Sequence, residues 1–261
     1  MNWKIAFKIL LALVVFALLQ NVFLIIFALA YGNLTDLTAF ISLNPGKMGM
    51  SLILSGCVTS FLVCKMGMAR WPQAFCWNGL KWQYALLGIG ASLTAIFASN
   101  MLSEMLELPD LMQSQFEGMA KNLWGILALA IVGPVVEEIV FREGIQGFLT
   151  RKGTAPWHAM LSSALLFGVI HMNPAQIPFA FLIGLCLSII YHKTQSIALT
   201  SFIHILNNAS AVAQMNLMGE RFKDARIADI LRFDAAGMWV AILFLSATSI
   251  MMFRLFWNSE E

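Results

Sequence analysis

The sequence contains very little charge. Only 11% of its 261 residues are charged, whereas 59% are hydrophobic, and a soluble domain usually carries about a quarter charged residues. The 16 basic and 14 acidic residues nearly balance, and there is no run of like charge. This composition argues against a water-soluble fold and against a nucleic-acid-binding surface, and it predicts that the main partner is the lipid bilayer.

Paired cysteine motifs are also missing. The four cysteines, Cys57, Cys64, Cys76 and Cys186, show no CxxC and no paired spacing. Three of them lie in or beside apolar stretches, where cysteine behaves as a small hydrophobic residue. The sequence therefore indicates neither a disulfide scaffold nor a zinc knuckle.

Several signatures of membrane-embedded hydrolases are absent as well. There is no HExxH motif for a zinc protease, and no aspartate lies within a long apolar stretch, as an aspartyl dyad would require. Gly49-Met50-Ser51 and Ser55-Gly56 superficially resemble a rhomboid serine motif. Small residues are nevertheless common at helix contacts in membranes, and no in-span histidine is paired with these serines by a known motif.

Long apolar stretches, by contrast, are abundant. A spanning helix needs about 20 mostly apolar residues, because lipid offers no partner to unpaired backbone groups. The stretches predict an all-α, polytopic membrane bundle of about eight transmembrane helices, of which the fifth and sixth are short. Their approximate limits are Ile5–Tyr31, Gly49–Met66, Trp82–Leu102, Leu123–Phe148, Trp157–Met172, Ile177–Tyr191, Ile197–Met218 and Ala236–Trp257.

The chain reads as one membrane domain over residues 1–261, since no internal repeat, low-complexity tract or long linker divides it. Its first apolar run follows Lys4 and Lys8 and resembles a secretory signal. A signal core is only about 7–15 residues long, so we expect this longer run to be retained as the first span.

The distribution of Lys and Arg predicts the orientation. The basic residues near span ends would all lie on one side of the membrane, whereas residues 103–121 are mainly acidic and form either an interfacial helix or a polar loop interrupted by Pro109. We expect an integral protein of the inner or plasma membrane with both termini cytoplasmic. The basic residues concerned are Lys4, Lys8, Lys65, Arg70, Lys81, Arg151, Lys152, Lys193 and Arg254.

The fourth span carries an unusual density of ionisable residues, Glu137, Glu138, Arg142 and Glu143. Such groups are expensive in lipid and are functional candidates by default. Glu138 and Arg142 share a helix face, while Glu137 should point about 100° away. We expect Arg142 to neutralise Glu138 and to leave Glu137 free as a general base. The alternative is a buried ion pair that only fixes helix packing.

Two further spans contain polar residues at similar depth. His171 lies near the end of the fifth, and His204 and Asn208 share one face of the seventh. Taken singly, they could be a helix-end histidine and an interhelical hydrogen-bond pair. Because all lie in one middle band of the membrane, we expect helices four, five and seven to share a wet cavity. His158 and His192 lie at span ends and suit interfacial anchoring.

The segments Glu137-Glu138-x-x-x-Arg142, Phe167-x-x-x-His171 and His204-x-x-x-Asn208 resemble the motif set of the CPBP family, which comprises CAAX proteases and bacteriocin-processing enzymes and is also called the Abi family. The resemblance covers about residues 122–217, the expected catalytic core. It implies an intramembrane glutamic endopeptidase acting on peptide or membrane-protein substrates, in which Glu137 activates water with help from His171. It also implies that His204 and Asn208 stabilise the oxyanion and that Glu138 and Arg142 support them.

Three other interpretations stay open at this stage. No cofactor is expected, but two glutamates and two histidines could bind zinc in a metal-dependent protease. A non-proteolytic immunity or scaffold protein could retain the same residues for binding. A transporter could use midplane charges to line an ion path, although the sequence shows no inverted repeat.

Overall fold

The computed structural model describes residues 3–31, 36–71, 75, 81–217 and 227–259, apart from the side chain of Thr38. Cys76 and residues 218–226, among them Met218, the predicted end of the seventh span, lie outside this part. The described residues form helices joined by turns, with no strand among them, as the sequence predicts. The helices are α1 (Trp3–Ala30), α2 (Leu37–Leu43), α3 (Pro45–Lys65), α4 (Trp82–Leu106), α5 (Gln113–Ala120), α6 (Leu123–Arg151), α7 (Pro156–Ile170), α8 (Ile177–Thr194), α9 (Ile197–Leu217), α10 (Ile227–Leu231) and α11 (Ala235–Asn258).

Within the described residues, six helices are long and apolar enough to cross a membrane, namely α1, α3, α4, α6, α8 and α11. The protein is therefore a polytopic helical membrane protein, but the predicted count of eight spans is not confirmed. The predicted fifth span corresponds to α7, which has only 15 residues. The predicted seventh corresponds to α9, whose 21 residues include His204, Asn207 and Asn208 and are too polar to qualify.

The helices pack in pairs around α6. Helix α1 packs along α3, α4 along α11, and α7 along α8, while α6 contacts α3, α7, α8 and α9. The outer faces of α1 and α11 expose large apolar side chains such as Leu10, Leu18, Leu243 and Phe244. Apolar side chains on that scale suit contact with lipid rather than water.

The second half of α6 is the most deeply enclosed segment of the chain. Every residue from 138 to 149 is buried. A helix buried on all sides lies in the middle of its bundle. Four polar residues, Glu138, Arg142, Glu143 and Gln146, are therefore held away from both lipid and bulk water.

Helix α6 departs from regular α-helical geometry in two places. Residues Ala128–Val132 and Glu138–Gly147 are π-helical, with hydrogen bonds from residue i+5 instead of i+4. The N–H of Gly133 accordingly donates to the carbonyl of Ala128. A Cβ at position 133 would lie 2.6 Å from that same oxygen, so the first wide turn requires glycine. Short π-helical segments frequently occur at functional sites.

Residues 103–121, predicted to be either an interfacial helix or a loop, contain the end of α4, a turn and the short helix α5. Helix α4 continues to Leu106, four residues beyond its predicted end, and Glu107 then adopts a left-handed conformation with φ of 47°. After a turn containing Pro109, helix α5 packs against α3 and α6 and buries Met119 and Ala120. This segment therefore belongs to the folded bundle.

Candidate active site

Glu138 and Arg142 form the ion pair that their spacing predicts. Glu138 Oε2 lies 3.2 Å from Arg142 Nε, and neither side chain has any exposed surface. Arg142 Nη1 also donates to Ser163 Oγ at 3.2 Å, and the guanidinium lies 4.9 Å from the centre of the Phe167 ring. Helix α7 thus supplies both a hydrogen-bond acceptor and an aromatic face to the cation on α6.

His204 brings the two glutamates together. Its Nδ1 lies 3.0 Å from Glu138 Oε1, and its Nε2 lies 3.5 Å from Glu137 Oε2. His204 is buried, and Glu137 keeps only 21% of its side chain exposed. One imidazole on α9 therefore bridges adjacent carboxylates on α6.

Helix geometry predicts that the Glu137 side chain leaves α6 about 100° away from that of Glu138, yet both carboxylates reach the same imidazole. That angle describes only the direction in which each Cβ leaves the backbone. A glutamate side chain is long enough to bend toward a ring that lies across the helix. The two imidazole nitrogens of His204 can therefore reach one carboxylate each.

His171 joins this group through an aromatic side chain. Its Nδ1 lies 2.7 Å from the carbonyl oxygen of Phe167, one turn earlier in α7. The Phe167 ring is in edge contact with both imidazoles, at 4.9 Å from His171 and 5.6 Å from His204 between ring centres. Among the described residues, no ion pair within 4 Å joins His171 to Glu137 or Glu138.

Asn208 docks on the first π-helical segment of α6. Its Nδ2 donates to the carbonyl of Leu129 at 3.0 Å, and its Oδ1 accepts from Asn207 Nδ2 at 2.9 Å. In π-helical geometry the Leu129 carbonyl would accept from residue 134, which is a proline and has no N–H. Asn208 thus supplies the donor that Pro134 lacks, and one N–H of its amide stays available for another acceptor.

The role of Ser163 is not predicted from the sequence. This buried serine accepts from Arg142 and donates to the carbonyl of Phe141 at 2.7 Å. The available signal was its position four residues before Phe167 and eight before His171, which puts all three on one face of α7. The sequence does not show which helix packs on that face, however, and a serine in an apolar helix does not by itself indicate a functional role.

Glu143, the third carboxylate of α6, belongs to a separate cluster. It pairs with Arg70 Nε at 2.9 Å and Arg151 Nη1 at 2.8 Å, and it accepts from the hydroxyl of Tyr191. The hydrogen bond to Glu143 raises the pKa of Arg70 above its ordinary, already high value, so Arg70 stays cationic. The cluster joins the end of α6 to α8 and to the turn after α3.

The histidines assigned to anchoring contact aromatic residues near helix ends. His158 stacks on Trp157, and His192 stacks on Trp257 with ring centres 5.4 Å apart. The described cysteines, Cys57, Cys64 and Cys186, are free thiols.

Catalytic zinc takes three protein ligands, but no three His, Cys, Asp or Glu side chains converge in this way within the described ranges. In addition, Glu138 is already opposed by Arg142, and both nitrogens of His204 face carboxylates.

The fold and site together define a polytopic helical membrane protein with a buried carboxylate–imidazole centre. Residues 119–210, which include every residue of this centre, match the family model described as type II CAAX prenyl endopeptidase Rce1-like. This segment of the chain is therefore similar to the CAAX protease (CPBP) family, as its three motifs indicated.

Two curated relatives align with part of the chain. A putative membrane peptidase, YdiL, of Bacillus subtilis is 33% identical over 87 residues, covering 33% of this chain and 35% of the relative. The membrane-embedded CAAX protease MroQ of Staphylococcus aureus is 35% identical over 105 residues, covering 38% and 42%. The chain thus spans about two fifths or less of the length of these relatives. No solved structure matches it significantly.

Proposed function

We propose that the chain is an intramembrane endopeptidase of the glutamic type, which hydrolyses peptide bonds in membrane-associated substrates such as prenylated tails or leader peptides. The observation that supports this most strongly is the contact of His204 with both Glu137 and Glu138 inside α6. Ionisable groups are costly in a spanning helix. Retaining four of them, with Arg142 paired to Glu138 and His204 in contact with both glutamates, is explained by chemistry at this centre.

The contacts of His204 constrain where protons lie. A hydrogen bond to Glu138 takes the proton on Nδ1, so Nε2 faces Glu137 at 3.5 Å. Oxyanion stabilisation by His204 requires a proton on Nε2 as well, in the direction of Glu137. Arg142 balances the charge of Glu138, and Glu137 is left as the base of the centre.

The proposed reaction begins when Glu137 takes a proton from water while the water oxygen attacks the carbonyl carbon of the substrate. The carbonyl oxygen becomes an oxyanion, which His204 Nε2–H and the remaining amide N–H of Asn208 stabilise. The C–N bond then breaks, and Glu137 passes its proton to the leaving amine. His171 assists by orienting the water.

Glu138, Arg142 and Ser163 support this chemistry without touching the substrate. Glu138 fixes the ring of His204 through Nδ1, while Arg142 balances the charge of Glu138. Ser163 and Phe167 hold the guanidinium. Such supporting contacts keep catalytic side chains close to their working geometry.

The test is cleavage by the purified protein in lipid nanodiscs, using a peptide with and without a prenyl group and a leader peptide. Glu137→Gln removes the base and should lower turnover by about 10²–10⁴ while the fold is kept. Glu117→Gln is the matched control, since it makes the same change in a half-buried glutamate of α5.

Equal turnover in the Glu137→Gln protein would contradict the assigned base. No cleavage of any of the three peptides by the wild-type protein would favour an immunity or scaffold role, in which the same residues bind a partner without hydrolysis.

A further inference from the structure

A reciprocal pair of hydrogen bonds ties the turn after His171 to the loop after α4. Asn173 Nδ2 donates to Asp110 Oδ1 at 2.8 Å, and the N–H of Leu111 donates to Asn173 Oδ1 at 3.1 Å. Asp110 Oδ1 also accepts from the N–H of Met112 at 2.9 Å. Asn173 is fully buried although it lies in a turn. We call this pair the Asp110–Asn173 link.

The backbone on either side of Asn173 needs such support. Met172 adopts a left-handed conformation with φ of 50°, which is uncommon for a residue other than glycine and persists only where the surroundings enforce it. The carbonyl of Asn173 accepts from the N–H groups of Gln176 and Ile177 at 2.9 and 3.0 Å, which starts α8. Asn173 therefore fixes the turn through both its side chain and its backbone.

His171 depends on this turn because it caps the C-terminal end of α7. Its ring is directed by the contact between Nδ1 and the Phe167 carbonyl. Its backbone leads directly into Met172 and Asn173. The last turn of a helix is the part that opens most easily unless it is tied to the rest of the fold.

We propose that Asp110 and Asn173 are positioning residues for His171. Through the Asp110–Asn173 link they hold the end of α7 so that the imidazole keeps its contact with Phe167 and faces the reaction centre. This inference rests on the proposed function for its effect on turnover. Its structural part, the control of the ring of His171 by a loop after α4, stands independently of catalysis.

The first test compares two exposed aspartates that each accept a hydrogen bond from a nearby backbone N–H. Asp110 Oδ1 accepts from Met112 N–H, and Asp36 Oδ1 accepts from Ala39 N–H, both at 2.9 Å. Only Asp110 also binds Asn173. Asp110→Ala should lower kcat with little change in KM, by up to about 10²-fold, because small displacements of a reacting group are costly. Asp36→Ala should leave kcat unchanged.

The second test exchanges the two side chains of the link. Asn173→Asp removes the amide donor and places two carboxylates against each other, so it should lower kcat. The double variant Asp110→Asn with Asn173→Asp restores one donor and one acceptor in reversed order. It should recover most of the lost activity, which a loss of general stability would not explain.

Nitrogen-15 spectra of histidine-labelled protein provide a readout that needs no substrate, with the His171 signals assigned by the variant His171→Gln. In the wild type the His171 signals should show one fixed tautomer with Nδ1–H bonded to Phe167. Asp110→Ala and Asn173→Asp should shift or broaden them, and the double variant should restore them. Unchanged His171 signals in both single variants would overturn the inference, as would a double variant that restores nothing.

The two hypotheses fail in different ways. A wild-type protein that cleaves no peptide but whose His171 signals respond as expected would contradict the proposed function and keep the Asp110–Asn173 link. Full cleavage by the wild type, with His171 signals that do not change in the variants, would keep the proposed function and contradict the positioning role of the Asp110–Asn173 link.

Discussion

Arg142 is the residue on which the charge balance of the site depends. It is fully buried, and its Nε and Nη2 make no aligned hydrogen bond within the described part of the chain, although Nε lies 3.2 Å from Glu138. Its attraction to Glu138 is therefore mainly that of opposite charges in a poorly polarisable interior. Ser163 and Phe167 fix the guanidinium by its Nη1 atom and its flat face.

Removing Arg142 should consequently destabilise the protein. Arg142→Ala leaves the buried carboxylate of Glu138 with only its contact to His204, which costs up to about 3–5 kcal/mol in the buried limit. We expect a lower melting temperature and a lower folded yield, together with reduced turnover. Arg142→Lys keeps the charge but loses the planar contact with Phe167. Its melting temperature and turnover should therefore lie between those of the wild type and those of Arg142→Ala.

The double variant Glu138→Gln with Arg142→Met separates stability from chemistry. It removes both buried charges, so melting temperature should recover relative to Arg142→Ala while turnover stays low. Thermal unfolding in detergent and peptide cleavage measure the two effects. An Arg142→Ala protein as stable as the wild type would show that the pair is not needed for folding.

Among the elements, α6 shows most clearly what the sequence could and could not predict. Its limits and the pairing of Glu138 with Arg142 followed from apolar length and from i, i+4 spacing. Its two π-helical segments could not be predicted in this way. The first depends on Gly133, on Pro134 and on a hydrogen-bond donor from another helix, Asn208. Sequence spacing within one helix carries no information about that donor.

In the remaining spans too, the helix limits were predictable from the sequence and the contacts between helices were not. Apolar length located the helices α1, α3, α4, α8 and α11 to within a few residues, apart from the longer end of α4. Which faces meet was not predictable, since a residue contact between α6 and α9 requires the packing of the whole bundle. The bridge from His204 to both glutamates and the role of Ser163 are consequences of that packing.

Helices α3 and α6 make a close contact through small residues. A Cβ at Gly49 would lie 2.5 Å from the backbone carbon of Trp124, and one at Gly56 would lie 2.9 Å from Val136. Ser51 and Ser55 donate to carbonyls of their own helix at 2.8 and 3.0 Å. The small residues that resembled a serine-protease motif thus serve helix packing, as is common in membranes.

Gly49→Ala should therefore lower the melting temperature, because the clash is with backbone and the two helices must move apart. Gly118→Ala in α5 is the matched control, since its Cβ would make an ordinary contact of 3.7 Å with Pro45. There the added methyl group should be neutral or stabilising by up to about 1 kcal/mol through helix propensity. Equal melting temperatures for the two variants would contradict this account of the α3–α6 contact.

At the scale of the molecule, a chain of contacts places the start of α1 and the end of α11 at the same end of the bundle. Near the N-terminus, Lys8 donates to Met66 at the end of α3. The cluster around Glu143 then joins this turn to α6 and α8. Lys193 donates to Trp257 and Ser259 at the end of α11. Because this end is rich in Lys and Arg, we propose that it faces the cytoplasm.

Cysteine labelling in intact cells tests this orientation in a variant whose four native cysteines are replaced. A cysteine at Glu117, at the opposite end, should react with a membrane-impermeant maleimide, whereas one at Lys152 should react only after the membrane is permeabilised. The opposite pattern would reverse the proposed topology.

The central claim, that Glu137 activates water for peptide hydrolysis without a metal ion, is tested most directly by cleavage after exhaustive chelation. The measurement is the turnover of purified, metal-analysed protein in nanodiscs, with Glu137→Gln beside it as the inactive reference. The account predicts that the wild type keeps its turnover in chelator and contains less than stoichiometric metal. Activity that disappears in chelator and returns with zinc, bound stoichiometrically through Glu137, His171 and His204, would contradict it.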